Sequence, residues 1–194
     1  MLAAHLLCES ISWAVRPASK FEHIRAAGEL CVDEFEDLLF PAIQRENAVA
    51  TWAEARASML EQQEEQHALL VALRRESVLG CAELGLLPPP PEKAAEAAEQ
   101  RQQQYPYIAN LAVLESERRA GLGRALVDAS EEVARAWGYD RIYAKVERCN
   151  FGARRLYDRT GFEIVYVQQR RSDWRNKQGM WLFLRKRMCA DDSL

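Results

Sequence analysis

The 194-residue sequence lacks the features that mark several classes of protein. Its apolar runs, such as residues 68–73, have the length of a strand, whereas a membrane-spanning helix needs roughly 20 apolar residues. No CxxC pair occurs, and the histidines His5, His23 and His67 lie far apart in the chain. We therefore expect neither a membrane span nor a metal site.

The few cysteines do not form the pattern of a disulfide framework. There are five of them, an odd number, and they are widely spaced, which favours a reducing compartment. Residues 1–13 lack the basic start and the small-residue cleavage site of a secretory signal. We expect a protein of a reducing compartment.

Two common phosphate-binding motifs are also missing. No segment matches GxxxxGK[ST], and the dinucleotide motif GxGxxG fails because Leu126 stands where a third glycine would follow Gly121 and Gly123. The sequence therefore excludes a P-loop and the usual dinucleotide site.

Charge is distributed unevenly along the chain. The net charge is −3, yet residues 141–187 contain 13 Lys and Arg against 4 Asp and Glu, a balance of +9. This basic segment is interpreted either as a solvated face or as part of a site for an anion such as a nucleotide phosphate. The acidic overall balance and the absence of a reader motif speak against nucleic-acid binding.

Hydrophobic periodicity predicts strands and helices in alternation. The expected elements are a strand at 11–16 stopped by Pro17, helices at 20–35 and 48–63, a hairpin of 68–73 and 78–87, a strand at 107–114, a helix at 121–137, a strand at 141–147, a helix at 152–160, and strands at 162–168 and 180–187. This order predicts one α/β domain over residues 1–194 with a central mixed sheet. Four prolines at 88–91 end the hairpin, so residues 88–104 are expected to form an exposed insertion.

The segment RRAGLGR, residues 118–124, lies between a nearly continuous apolar strand and an amphipathic helix. The first amides of a helix have no partner inside it, and the helix dipole adds positive potential there. Gly121 and Gly123 would let a diphosphate approach the main chain, and the arginines would add charge. The alternative is an ordinary glycine-containing turn.

The sequence resembles the GNAT superfamily of N-acetyltransferases in two blocks. Residues 118–123 resemble that family's acyl-CoA motif Q/R-x-x-G-x-G/A, and residues 150–162 resemble N-x-x-A-x-x-L-Y-x-x-x-G-F. The strings YPYIANLAVL and WGYDRIYAKVE are most similar to the plastid and cyanobacterial-type branch, whose members acetylate protein N-termini and lysines. The resemblance implies a twisted, mostly antiparallel mixed sheet, flanked by helices and splayed at the acyl-CoA site.

The resemblance also assigns residues to the cosubstrate acetyl-CoA. A bulged strand should offer main-chain groups to pantetheine, the loop before the helix should bind the diphosphate, and a third segment should line the sulfur end. These residues are Leu111, Ala112, Val113, Arg118, Arg119, Ala120, Gly121, Leu122, Gly123, Arg124, Asn150, Phe151 and Gly152.

Tyr157 matches the position that serves as general acid in the family. Its phenol, with an ordinary pKa of about 10, would protonate the departing thiolate; the alternative is a buried residue of a short helix. Glu83 is a candidate base, with a solvated outward-facing carboxylate as the alternative. Asn110 stands near the position where other members carry a carboxylate, and it could only orient a water.

The resemblance predicts an acetyltransferase that acts on protein α-amines, on lysines, or on both. The alternatives are acetylation of small amines, such as arylalkylamines or polyamines, and a CoA-binding module without activity. The acceptor is expected between residues 35–46 and 168–179, near Tyr166 and Trp174. The resemblance further implies a location in the chloroplast stroma or otherwise the cytoplasm. We also expect a monomer with no metal and no membrane or nucleic-acid partner.

Overall fold

A computed structural model describes residues 13–35, 42–61, 66–90, 103–169 and 180–188. The elements in chain order are β1 (Ala14–Pro17), α1 (Phe21–Phe35), α2 (Ala42–Glu61), β2 (Ala68–Arg74), β3 (Ser77–Leu87), β4 (Tyr105–Val113), a 3-10 turn (Glu115–Glu117), α3 (Leu122–Ala136), β5 (Arg141–Glu147), α4 (Phe151–Arg159), β6 (Glu163–Gln169) and β7 (Met180–Arg187). The predicted order of strands and helices is confirmed.

The boundaries differ from the sequence prediction chiefly at α2 and β1. Helix α2 begins at Ala42, ahead of the predicted residue 48. Pro17 was expected to stop β1, yet it is the last residue of that strand and pairs with Leu70. Because β1 is an edge strand, the missing N–H of proline costs no ladder hydrogen bond on the open side. Residues 11 and 12 of the predicted strand lie outside the described ranges.

The seven described strands form a mixed sheet in the order β1-β2-β3-β4-β5-β7-β6. Neighbouring strands run antiparallel except for β4 and β5, which are parallel. These two strands are joined at two register positions, Tyr107 with Tyr143 and Ile108 with Ala144. Beyond Ile108 they separate, so the sheet is splayed where the sequence predicted.

The two faces of the sheet are covered by different helices. Leu122 and Leu126 of α3 are fully buried against one face, in a cluster with residues of β2 to β5 and β7. The predicted apolar stripe of α3 is thereby confirmed. Ile24 and Cys31 of α1 are buried against the other face of the central strands. This layering fixes the N-terminus of α3 at the mouth of the splay.

Strand β4 contains a bulge at the splay. Cys81 pairs with Ala112 and Glu83 with Ala109, so two steps along β3 correspond to three steps along β4. Asn110, the first residue of the extra step, has φ = 47°, a conformation that asparagine tolerates better than most residues. A bulge removes main-chain groups from the ladder, as the resemblance implied.

The expected insertion at 88–104 falls largely outside the described ranges. Strand β3 ends at Leu87, and the Tyr107 hydroxyl donates a hydrogen bond to the Pro88 carbonyl at 3.2 Å. Residues 91–102 are not described.

Across the described ranges, no helix combines the length and apolar character needed to cross a bilayer.

Candidate functional site

A cavity of about 460 Å³ opens where β4 leaves β5. Its walls come from the bulged end of β4, the turn before α3, the first residues of α3, and one face of α4. The predicted residues that line it are Leu111, Ala112, Val113, Arg118, Arg119, Gly121, Gly123, Arg124, Asn150 and Gly152. Segments about 40 residues apart in sequence therefore converge on one cleft.

The N-terminus of α3 faces this cavity without a side-chain cap. Gly121 is the N-cap with φ = 89°, and no side chain bonds to the first turn from that position. The first-turn amides of a helix have no helical acceptor, and they carry the positive end of the dipole. An anion placed in the cavity beside Gly121 meets these donors.

The two glycines of the loop have different roles. At Gly121 the positive φ favours glycine, and space does not, since a Cβ built there would meet no atom within 4 Å. A Cβ on Gly123 would lie 3.2 Å from Leu156 Cδ2. Gly123 lines the cavity, where its predicted role beside a diphosphate stays a prediction, and it also allows α3 to approach α4.

Strand β4 presents its bulge to the same space. Leu111 and Val113 are half-buried and Ala112 is buried, and all three line the cavity. The Arg118 side chain donates from Nε to the Val113 carbonyl at 3.1 Å, which ties the loop to the end of β4. An extended, amide-rich ligand in this cleft would run alongside main chain that the bulge has freed.

Helix α4 forms the opposite wall. Asn150 is its N-cap, and the side-chain Oδ1 accepts a hydrogen bond from the Ala153 amide at 3.0 Å. The preference of asparagine for N-caps is the sequence signal for this role, which was not predicted. Phe151 was predicted to line the cofactor, yet it is 71% exposed, packs near Arg154, and does not line the cavity.

Arginine dominates the charge of the cavity. The predicted Arg118, Arg119 and Arg124 are joined by Arg155 and Arg159 of α4, which were not predicted. Among the described residues, Glu117 is the one carboxylate in the lining, and it is neutralised by a bidentate ion pair with Arg74, at 2.8 Å for each bond. The basic balance of residues 141–187 was the signal for the α4 arginines. The cavity is suited to a ligand with several phosphates.

Tyr157 lies in the core, 5% exposed, with its ring edge-on to Phe162 at 5.1 Å between centroids. It neighbours Leu156 and lies one helical turn from Thr160, both of which line the cavity. Burial raises the pKa of the Tyr157 phenol above its usual value, so the group keeps its proton at neutral pH. Tyr157 is not among the residues that line the cavity, so its position is that of the buried residue of a short helix, and the role of proton donor stays a prediction.

Glu83 is not the solvated carboxylate that was the alternative. It is 7% exposed and accepts hydrogen bonds from Arg56 at 3.2 Å and from Asn110 Nδ2 at 2.6 Å, while His67 Nε2 lies 2.8 Å from its other oxygen. Burial acts to raise its pKa, but these partners outweigh burial and lower the pKa of Glu83 to about 2. Glu83 lies outside the cavity lining, on the strand beside the bulge.

Two further predicted residues support the loop without lining the cavity. Leu122 is fully buried in the core, and Ala120 packs against the same cluster.

Tyr166, expected near the acceptor, packs against Phe183 at 5.6 Å between ring centroids. Trp174 and most of the expected acceptor loop at 168–179 lie outside the described residues. Within the described ranges, no group of three His, Cys, Asp or Glu side chains could hold a metal ion.

The fold is similar to that of solved N-acetyltransferase structures. The ribosomal-protein-alanine N-acetyltransferase of Brucella melitensis superposes with a TM-score of 0.68 at 24% identity, over 90% of this chain and 99% of that one. The PaiA N-acetyltransferase of Thermoplasma acidophilum, solved in complex with coenzyme A, superposes with a TM-score of 0.63 at 14% identity, over 91% and 99% of the two chains. At these identities the likeness establishes the fold.

A family profile extends this from fold to family. The profile of the Acetyltransferase (GNAT) family matches residues 32–162, so the chain belongs to this family. The predicted family and fold class are confirmed, and at the level of the family so are the acyltransferase class and acetyl-CoA as cosubstrate. Among curated proteins, the chloroplastic GCN5-related N-acetyltransferase 6 of Arabidopsis thaliana is 42% identical over 62 residues, which is 32% of this chain and 22% of that protein. The match therefore spans about a fifth of that relative.

Proposed function

We propose that this protein transfers the acetyl group of acetyl-CoA to amines of proteins, with N-terminal α-amines as its preferred acceptors. The observation that carries the proposal is the cleft itself. One cavity joins the bulged main chain of β4 to the uncapped N-terminus of α3 and to five arginines. These are the groups that an amide-containing arm attached to phosphates requires.

The donor would lie with its diphosphate on the first amides of α3, beside Gly121 and Arg124, and with its pantetheine along Leu111 to Val113. The α4 arginines Arg155 and Arg159 would add positive potential for the remaining phosphate. In this position the thioester would reach the part of the sheet where β4 and β5 diverge. The amine would approach from the side of α1 and α2.

The reaction needs one proton donor and a weak base. The neutral amine attacks the thioester carbon, the C–S bond breaks, and the Tyr157 phenol protonates the departing sulfur. The proton released from the amine returns through water and restores the phenol. The raised pKa of Tyr157 keeps the donor protonated until this step.

The preference for α-amines follows from the shortage of a base. Of the described carboxylates near the bulge, Glu83 has a pKa lowered to about 2 by its partners, and Glu117 is paired with Arg74. An α-amine, with a pKa of about 8, is partly neutral at neutral pH, whereas a lysine at about 10.4 must lose a proton at a cost of about 4 kcal/mol. A site without a strong base therefore favours the α-amine.

The compartment proposed is the plastid stroma. It rests on the short stretch of identity with chloroplastic N-acetyltransferases of Arabidopsis thaliana, at 42% over 62 residues and 39% over 57 residues.

The direct test is mass spectrometry of a mixed acceptor pool. Purified protein and acetyl-CoA are incubated with peptides that carry a free or blocked N-terminus, with or without lysine, and with arylalkylamines and polyamines. We expect acetylation chiefly of free N-termini. Labelling of lysines alone would overturn the α-amine preference, and labelling confined to small amines would replace a protein acceptor by a metabolite. CoA binding without any labelling would contradict the transferase.

A further inference from the structure

Asn110 of β4 has an unusual main-chain conformation, and neighbouring groups hold it there. Its φ of 47° places it in the left-handed region, at the start of the β4 bulge. An asparagine pays less for this conformation than most residues, but it still needs contacts to hold it there. Those contacts come from two different parts of the residue.

The Asn110 side chain is anchored to Glu83. Its Nδ2 donates to Glu83 Oε2 at 2.6 Å, and the same carboxylate is held by Arg56 of α2 at 3.2 Å and by His67 at 2.8 Å. Arg56 is itself stacked over Trp52, 4.4 Å from the ring centroid. The carboxylate that holds Asn110 is thus itself held by α2 and by the residue that precedes β2.

The Asn110 main chain is contacted by two buried thiols. Cys81 Sγ lies 3.6 Å and Cys31 Sγ 3.7 Å from the Asn110 carbonyl oxygen, and the two sulfurs are 3.4 Å apart. The hydrogen bond with Cys81, together with burial, raises the pKa of the Cys31 thiol, so this thiol remains a donor. A carbonyl turned out of the ladder by the bulge receives weak donors in place of an amide.

We propose that Glu83 is a positioning residue which, through the Asn110 side chain, holds the β4 bulge in the shape that binds the pantetheine arm of acetyl-CoA. The proposal deepens the proposed function and rests on it. Leu111, Ala112 and Val113 follow directly after Asn110 and line the cavity, so the conformation of Asn110 sets the direction of their amides. Glu83 therefore acts as an anchor for Asn110 and not as the base.

Three substitutions separate the anchor from a base. Glu83→Gln keeps an oxygen that can accept from Asn110 and Arg56 but cannot take up a proton. Glu83→Ala removes both properties. Asn110→Gly keeps the left-handed backbone, which glycine adopts freely, and deletes the anchored side chain.

A control variant measures the effect of removing a buried carboxylate elsewhere in the protein. Glu131 on α3 is 4% exposed and is paired with Lys186 of β7 at 2.6 Å and with Arg135 of its own helix at 3.3 Å. Glu131→Ala should lower stability without changing the bulge. Unfolding by urea, measured for every variant, shows how much of each effect is lost stability.

The first measurement is CoA affinity by calorimetry, with steady-state kinetics where an acceptor is available. We expect the Kd for CoA and the KM for acetyl-CoA to rise roughly 10-fold in Asn110→Gly and Glu83→Ala, and to stay within about threefold in Glu83→Gln and Glu131→Ala. Unchanged CoA affinity in Asn110→Gly would overturn the proposal. So would a Glu83→Gln protein that binds CoA normally but loses kcat by about 100-fold, because that result is typical of a base.

The second measurement is amide hydrogen exchange in the protein without CoA. The amides of residues 111–113 should exchange roughly 10-fold faster in Asn110→Gly and Glu83→Ala than in the wild type, Glu83→Gln and Glu131→Ala. Equal exchange in all five proteins would refute the anchor. If wild-type protein binds no CoA, the proposed function fails, while this exchange experiment still decides whether Glu83 holds the bulge.

Discussion

At the residue scale, Gly121 combines a backbone requirement with an electrostatic one. Its φ of 89° disfavours any residue with a Cβ, and the space around that Cβ is open. A substitution can therefore be chosen that keeps the conformational cost constant and changes only the charge beside the first amides of α3.

We expect Gly121→Asp to lower CoA affinity at least about 100-fold, because a carboxylate would repel the diphosphate at the helix N-terminus. Gly121→Asn, which tolerates the left-handed region equally, should lower affinity far less. Both should cost about 1 kcal/mol of stability from the backbone. Calorimetry with CoA and urea unfolding measure the two effects, and equal CoA affinities for the two variants would contradict the assignment of the loop.

Tyr157 is the residue whose role depends most on its surroundings. Tyr157→Phe keeps the packing against Phe162 and removes the proton, so kcat should fall roughly 10- to 1000-fold while CoA affinity stays the same. Tyr143→Phe, a buried tyrosine of the separate ring cluster with Tyr105 and Tyr107, is the matched control. Full turnover in Tyr157→Phe would remove this residue as the acid.

The same experiment has a pH component. A donor must be protonated, and burial raises the pKa of Tyr157 above 10, so its active form is complete at every pH below about 10. The wild-type pH–rate profile should therefore show no loss of kcat from this group below that pH. A descending limb near pH 8 that disappears in Tyr157→Phe would contradict the raised pKa.

At the scale of elements, α3 and α4 form one binding unit. Gly123 of α3 allows Leu156 of α4 to approach, and this contact directs Arg155 and Arg159 toward the cavity that begins at the α3 N-terminus. The arginines of α4 thus supplement the charge of the loop before α3.

Reversing the charge of this face should weaken CoA binding without unfolding the helix. We expect the double variant Arg155→Glu and Arg159→Glu to lose roughly 10- to 100-fold in CoA affinity at low salt, with a smaller loss at high ionic strength. Arg154→Glu is the control, since Arg154 packs over Phe151 and donates to the Arg148 carbonyl, away from the cavity lining. An equal loss in the control would indicate a general charge effect and no defined site.

At the scale of the whole molecule, stability should depend on pH through Glu83. Its pKa is lowered from 4.5 to about 2 in the folded protein, so the charged form stabilises the fold above pH 4.5, and this contribution is lost as pH falls toward 2. Other lowered carboxyl pKa values, such as that of Asp33, also contribute to acid sensitivity.

Comparison with Glu83→Gln isolates the contribution of Glu83, because the other carboxylates are common to both proteins. The stability advantage of the wild type should shrink by about 2 kcal/mol between pH 7 and pH 3. Urea unfolding of both proteins at pH 7, 5 and 3 measures this difference. A constant difference over the range would show that the pKa of Glu83 is not lowered by its partners.

The sequence by itself determined the local features of this protein. Neighbouring residues determine three of these features: the period of the apolar residues in α3, the left-handed glycine before that helix, and the turn glycine Gly138, with φ = 86°. The order of strands and helices follows from the same short-range patterns, and the two motif blocks were sufficient to indicate the family.

The tertiary structure decided the contacts between distant segments. The Asn110 anchor joins Glu83 of β3, Arg56 of α2 and His67, which directly precedes β2, and no period in the sequence links these positions. Strands β4 and β5 pair at only two positions, and they separate where β4 contains its bulge. Such features depend on long-range packing and on the burial of charge. Packing and burial determine which carboxylate has all its hydrogen-bond partners, which main-chain amides are left outside the sheet ladder, and where the cleft opens.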